Sequence, residues 1–475
     1  MKFKKFGKAL LMSALSAGVV LSVTSCVQSY SVGFLYVTGT VTSDPSGNGI
    51  ISGFKIDHNT GKLSPVAGLP VSSGGANPVR AILISGQRFL YVLNRGVSTN
   101  PAGSSICTLE YPCTGSNITQ FAIGGNGVLT PQETFYTQGI NPFRILEDSS
   151  GGYIYVLDHD SPANTSPSAG DACNLALGSD LTTGLPVTSC GDITAFQVNS
   201  STGRLTLVVN TQVTTANCGT SSATCPLTYF PVPANPIDFL FGSNVILTMS
   251  GTPATGDSVF PYTYSAGNGQ LTVNANSSQP LSSATTANGL VDNATAFVMG
   301  SGYLYVLDND PITYTPSGST SPITAPSQIL PYTVGTNGAL QAQTGGAIPD
   351  DPTLANPTYL VVKGSWLYIA NSGTNETTTA TTQDGIAGYI VDPSTHQLSF
   401  MPGEPFTVGS APQCIVMDPS SQYLYEANFN DSTVTGQSID QNKGVLRPLS
   451  ESTNVPSSYT ITGPATWCVV DGRTS

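Results

Sequence analysis

The chain has 475 residues, only 9% of them charged, with 50 Gly, 34 Pro and a formal net charge of −13. So little charge excludes long surface helices and coiled coils, and the Gly and Pro content fits an all-β chain with many turns. It also excludes a basic face able to track a phosphate backbone, so nucleic acid is not a partner.

In chain order, Lys2, Lys4, Lys5 and Lys8 precede an apolar stretch from Ala9 to Val23. That stretch is too short to cross about 30 Å of hydrocarbon as a helix, and it suits the apolar core of a signal peptide. It ends in Val23-Thr24-Ser25-Cys26, which resembles the bacterial lipoprotein box. The resemblance implies residues 1–25 as a lipoprotein signal peptide, lipidation of Cys26, and residues 26–33 as a tether. The expected location is the cell envelope, lipid-anchored and extracytoplasmic, with Val27 in place of Asp favouring the outer membrane in a Gram-negative cell. Loss of the four lysines makes the mature chain more acidic still.

The remaining cysteines include three close pairs, Cys107/Cys113, Cys173/Cys190 and Cys218/Cys225, in Ser/Thr/Gly-rich segments. In an oxidising compartment these are disulfide candidates. No C-x-x-C occurs and no His lies nearby, so zinc is not favoured. Cys414 and Cys468, inside apolar runs, read as buried thiols.

From residue 34 onward one motif repeats. Phe34-Leu35-Tyr36-Val37, Phe89-Leu90-Tyr91-Val92, Tyr153-Ile154-Tyr155-Val156, Tyr303-Leu304-Tyr305-Val306, Trp366-Leu367-Tyr368-Ile369 and Tyr423-Leu424-Tyr425-Glu426 are aromatic strands. Asn244-Val245-Ile246-Leu247 is a degenerate seventh copy. Each is followed by a turn-rich tetrad ending in Leu, such as Thr60-Gly61-Lys62-Leu63 or Asn126-Gly127-Val128-Leu129, a tight-hairpin signal. His396 replaces the usual Gly in the sixth tetrad. A Pro-led strand precedes the aromatic one at Pro78, Pro142, Pro236, Pro357 and Pro412. Four antiparallel strands, repeated seven times, predict an all-β seven-bladed β-propeller over residues 34–475. The first unit lacks its Pro-led strand and the last is followed by a spare one after Pro464. The C-terminal strand is therefore expected to close the ring and cover an exposed edge.

The Asn-Pro, Tyr-Leu-Tyr-Val-x-Asn and Thr-Gly-x-Leu elements resemble the lactonase-type seven-bladed propellers, which include bacterial 6-phosphogluconolactonases and fungal muconate cycloisomerases. The resemblance spans residues 34–472 and implies the fold, with lactone chemistry as one associated activity. The His-x-His element that such enzymes carry in the innermost strand of blade three is absent, with Asn141-Pro142-Phe143-Arg144 in its place. Asp158 and Asp192 match the family's acidic positions, and the Arg that follows the second is Ile193 here.

Long loops, near 97–116, 161–191, 216–234, 311–326 and 373–384, gather on one face, so any site belongs at the channel mouth there. His58 and His396 fall on the opposite face. His159 is placed to act as acid or base, flanked by carboxylates expected to raise its pKa. Asp158, Asp192, Arg95 and Arg144 complete the catalytic candidates. Asp158, Asp160, Asp308, Asp310, Asn371 and Asn428 end aromatic strands, where such residues commonly bond local backbone. If they instead face one cavity, they would bind a polar ligand or a weak Ca²⁺ ion. No cofactor is required, and the chain is expected to be monomeric. The favoured reading is a module binding a small molecule or an envelope protein; the alternative is a lactone hydrolase, and the sequence leaves catalysis open.

Overall fold

The computed structural model describes residues 30–41, 47–84, 88–101, 107–165, 173, 189–216, 224–242, 244–252, 256–274, 278–283, 289–300, 302–374 and 384–472. Seven antiparallel sheets form a ring, each ordered from the channel outward as anticipated. The innermost strands, from blade one to blade seven, are Ala465–Asp471, Pro78–Leu83, Ile140–Glu147, Pro236–Phe241, Ala294–Gly300, Pro357–Lys363 and Pro412–Met417. They touch one another in sequence around the whole ring.

The Pro-led entry has a specific geometry. Asn77, Asn141, Asn235, Asn356, Ala411 and Gly463, each just before the Pro, all have positive φ, between 50° and 75°. Proline disfavours the right-handed α conformation in its predecessor, and Asn and Gly are the residues that best tolerate the left-handed one. The Asn77 amide then donates to the Gly96 carbonyl at 2.7 Å, and Asn356 to that of Gly373 at 2.6 Å. A β-bulge follows at Pro78/Arg80, Pro142/Arg144, Pro236/Asp238, Ala294/Ala296, Pro357/Tyr359 and Pro412/Cys414. Bulges bend a strand and re-aim the next side chain.

Blades are joined by a clamp built from the two markers seen in the sequence. The second aromatic of each strand is a buried Tyr whose hydroxyl donates to the hairpin carbonyl of the following blade. Tyr36 reaches Gly127 at 2.9 Å, Tyr155 reaches Gly269 at 3.0 Å, Tyr368 reaches Gly444 at 2.6 Å and Tyr425 reaches Gly61 at 2.7 Å. Tyr91 makes the same bond to Gly203. The first aromatic covers that glycine so closely that a Cβ on Gly61, Gly127, Gly203, Gly269 or Gly444 would collide with the ring. In blade six the glycine is replaced by His396, itself at φ 56°; its ring stacks on Tyr303 and its carbonyl accepts from Tyr305 at 2.9 Å. Degenerate blade four has no hydroxyl to offer, and Leu247 packs against Gly338 instead.

Closure occurs as the spare C-terminal strand required. Ala465–Asp471 pairs antiparallel with Ser31–Thr40, Val37 opposite Cys468. Cys414 and Cys468 are not the free thiols expected: they form a disulfide with Cα atoms 6.0 Å apart. The bond joins the innermost strand of blade seven to the closing strand of blade one, which only a shut ring brings together. Cys107–Cys113 and Cys173–Cys190 are paired as anticipated. The third expected pair, Cys218/Cys225, is not among the disulfides of the described residues. Cys218 and the side chain of Cys225 lie outside those residues, as does Cys26. The Cys225 backbone belongs to the short strand Thr224–Leu227, where it sits opposite Thr215.

The blades are not uniformly four-stranded. In blades one, three, four, five and seven the connecting segment adds a short fifth strand against strand three, at Val71–Ala76, Phe230–Pro233, Gln279–Pro280, Ile348–Pro349 and Ser458–Thr460. The outermost strand in those blades has only three residues and covers one end of strand three. The connecting segment satisfies the backbone groups left open at the other end. Blade two, whose outer strand Leu129–Phe135 has seven residues, adds no fifth strand, and blade six, with the three-residue outer strand Leu398–Phe400, has a single bridge from Ile386 to Phe406 in its place.

The Cys414→Ala/Cys468→Ala double variant should lose about 2–4 kcal/mol of stability, seen as a lower melting temperature under oxidising conditions only. Glu426 occupies a position held by Val37, Val92, Val156, Val306 or Ile369 in other blades and is 0% exposed. Burial pushes its carboxyl well above the ordinary range. Glu426→Val should therefore stabilise the fold at pH 7 by about 1–3 kcal/mol, measured by denaturant unfolding.

Candidate functional site

The polar residues ending the aromatic strands do not converge on a cavity. Asn94, Asp158, Asp308, Asn371 and Asn428 are all 0% exposed. Most are used to staple their own blade. Asn94 donates to Asn117 at 2.9 Å, Gln328 donates to Asp308 at 2.7 Å, and Asn428 donates to Thr435 at 3.0 Å. Asn371 is the exception: neither polar atom of its amide has a hydrogen-bond partner among the described residues. Asp160 and Asp310 accept from the entry asparagines Asn141 and Asn293, at 3.0 and 2.9 Å. Asp158 and Asp308 thus sit in separate blades, each consumed locally, and the expected shared cation site is not formed. The described residues contain no group of three or more His, Cys, Asp or Glu that could hold a metal.

In blade three the staple is unusual. Asp158 and Asp192 lie directly opposite each other on strands two and three, both 0% exposed. Oδ2 of each carboxyl is buried without a hydrogen-bond partner among the described residues, while Thr137 donates to the other oxygen of Asp158 at 3.0 Å. Burial raises both, Asp158 to about 8, and the like charge of Asp158 raises Asp192 further. Two carboxyls in contact can share one proton but cannot both ionise cheaply. Neither acid reaches solvent.

His159, next along the strand, faces the other way. Its ring, exposed to solvent, stacks on the buried Phe143 ring at 3.8 Å. Surrounding protein and then the charges of Arg144 and Arg95 push its pKa down to about 4. The adjacent carboxylates were expected to raise it. They do not, because Asp158 is buried on the opposite face and Asp160 is held by Asn141. Arg144 lies 5.1 Å over Phe143 and pairs with Asp238 at 3.0 Å. The Arg95 Nε is buried without a partner. His159, Arg95 and Arg144 are thus close enough to interact, with Asp192 and Asp158 below them.

Phe143 and Asp238 were not anticipated, nor was the aromatic filling of the channel by Tyr359 and Trp467 around Arg80, itself one of the few basic residues the sequence offers for an anionic group. The available signal was position: Arg80, Arg144, Asp238 and Tyr359 are each the second residue after an entry proline, where the bulge turns a side chain toward the axis. A separate crevice between blades three and four is lined by Ile193, Val208, Asn210, Tyr229 and Leu271 among others. It brings together no carboxylate, histidine or cation.

The family model described as "Lactonase, 7-bladed beta-propeller" matches residues 35–166 and 329–465. Among solved structures, the periplasmic gluconolactonase of Pseudomonas aeruginosa is similar at 16% identity and a TM-score of 0.58, over 92% of this chain and 99% of that one. A Bacteroides fragilis protein provisionally assigned as a 6-phosphogluconolactonase is similar at 15% identity and a TM-score of 0.56, over 92% of this chain and 98% of its own. A Lactobacillus plantarum protein is also 15% identical, with a TM-score of 0.56 over 92% and 99% of the two chains. At such identities the likeness is one of fold. No curated protein matches the chain.

The acid pair sets a pH dependence. The folded chain holds the Asp158 proton up to about pH 8, whereas an unfolded carboxyl releases it near pH 4. The pair's stabilisation is therefore full below about pH 4 and is lost as pH rises through 8. Asp192→Asn lets an amide donate to Asp158 without a shared proton. It should flatten the fall in unfolding free energy between pH 5 and 8 by up to about 1.4 kcal/mol per pH unit. Denaturant titrations at several pH values check this; an unchanged slope would refute the shared proton.

Proposed function

We propose that this chain, which belongs to the lactonase seven-bladed β-propeller family, is a lipid-anchored envelope protein that binds a small, uncharged, polar ring compound at the channel mouth. The observation that carries this reading is the Phe143–His159 platform beside the Arg95 and Arg144 guanidiniums. The exposed imidazole face of the stack suits a planar ring, and the Arg95 and Arg144 guanidiniums beside it suit a carbonyl or hydroxyl oxygen. Disulfides agree with an oxidising, extracytoplasmic setting, and the lipoprotein box at Cys26 supports the anchor.

A second reading, lactone hydrolysis, is favoured by one fact: His159 is neutral at pH 7 and lies next to two cations. It would take a proton from water as the water oxygen attacks the lactone carbonyl. Arg95 would stabilise the oxyanion, the ring C–O bond would break, and the released alkoxide would recover the proton to give a hydroxy acid. Taking a proton would make His159 a cation beside Arg144 and Arg95, and both disfavour that charge. Binding therefore ranks above turnover.

The test is a panel of aldonolactones and simple γ- and δ-lactones against the soluble form lacking residues 1–26. Thermal shift reads binding and base uptake in a pH-stat reads hydrolysis. Binding without turnover is expected, weakened at least tenfold in His159→Ala and Arg95→Met. Turnover lost in His159→Ala would establish the hydrolase instead, and neither binding nor turnover on any lactone would sink both readings. The anchor is tested separately: the full chain should partition with membranes, and Cys26→Ala should release it.

A further inference from the structure

Arg80, in the channel, has no ion pair within 4 Å among the described residues. Arg80 is the second residue after Pro78 in the innermost strand of blade two, just past its bulge. Its guanidinium carbon lies 3.8 Å over the ring of Trp467, from the closing strand of blade one. Trp467 is itself fixed: it is 8% exposed, its indole N–H donates to the Ala81 carbonyl at 3.2 Å, and Tyr359 meets it edge-on at 4.7 Å. One face of the guanidinium is thus covered by an aromatic wall that is held in place from two sides.

One hydrogen bond of this side chain is seen among the described residues. A guanidinium carries five N–H groups in a rigid fork, and the bond Arg80 makes is to the Val79 carbonyl at 2.9 Å. Asp238, whose charge offsets part of that of Arg80, spends one oxygen on Arg144 and the Phe239 backbone, each at 3.0 Å. Arg80, Arg144 and Asp238 leave one positive charge in excess, inside a chain whose formal net charge is −13. An unpaired cation out of bulk water is costly unless an anion neutralises it. Burial and then Arg144 disfavour the charged form of Arg80, outweighing Asp238 and Tyr359, which favour it.

We propose that the channel interior is a second binding site, in which a small monocarboxylate is held bidentately by the Arg80 fork against the Trp467 and Tyr359 walls. The planar fork matches a carboxylate, and stacking on Trp467 pre-orients it. A single excess charge, with Asp238 close by, selects a monoanion over a phosphate dianion. Thr295 and Thr358, which also line the innermost strands, are bonded to the Pro357 and Pro412 carbonyls. They add no positive charge that a larger anion would need.

Trp467 is a built-in reporter, because the chain has two tryptophans. The other, Trp366, can be changed to Phe, the residue found at that position in blades one and two. In this Trp366→Phe background, sodium acetate is titrated against sodium chloride at constant ionic strength while Trp467 fluorescence is followed. Acetate should give a saturable change with a midpoint at least tenfold below that of chloride. Arg80→Met, which keeps the apolar stem, should raise the acetate midpoint at least tenfold and abolish acetate-induced thermal stabilisation. Arg80→Lys keeps the charge without the fork, should fold if Arg80→Met does not, and should also lose most of the affinity. No saturable acetate response, equal midpoints for acetate and chloride, or undiminished affinity in Arg80→Lys would each overturn the proposal.

Discussion

The molecule depends on one contact repeated around a circle: a buried tyrosine hydroxyl bonded to the hairpin carbonyl of the next blade, under a ring that leaves that hairpin no room for a side chain. Each bond is worth only about 1 kcal/mol net. Breaking any one, however, leaves a buried hydroxyl and a carbonyl unpaired, so the ring tolerates few gaps. It tolerates Leu247 in blade four because Leu presents no polar group to satisfy, and packs on Gly338 instead. It tolerates His396 because the imidazole stacks where the aromatic would otherwise cover glycine. Both exceptions keep the contact surface while changing its chemistry.

The same geometry decides where chemistry can sit. Strand ends that look polar and available are spent on stapling strands two and three, as with Asn94, Asp308 and Asn428. Side chains that reach the axis come from the innermost strands, one step past a bulge, and there the chain places Arg80, Arg144, Asp238, Tyr359 and Trp467. The mouth platform uses the residue between: Phe143 sits at the bulge itself and carries His159 on its face. A bend needed to shape each blade thus also brings cations to the axis.

Much of the fold was legible because it is local and repeated. Aromatic strand, hairpin and proline recur in order, and the missing first strand matches the spare last one. What escaped the sequence is non-local. Cys414 and Cys468 sit in separate apolar runs, and nothing short of the closed ring shows them to be neighbours. His159 looks like a histidine between two acids; its true electrostatic neighbours, Arg95 and Arg144, come from blade two and from a different strand of blade three. The fifth strands, two to six residues long, carry no pattern of their own and arise because the outer strands are too short to cover their partners.

The Cys414–Cys468 bond has a topological effect that pairing alone lacks. Everything from residue 415 to 467, the outer part of blade seven and the segment leading into the closing strand, lies within a covalent loop whose two ends are both in the inner ring. A protease cut in that loop would not free the C-terminal strand. Both fragments would stay joined through sulfur, and the nick would become visible only once a reductant was added. The seam where a toroid of this kind is most easily opened is the one place where a severed backbone is held together by a second linkage.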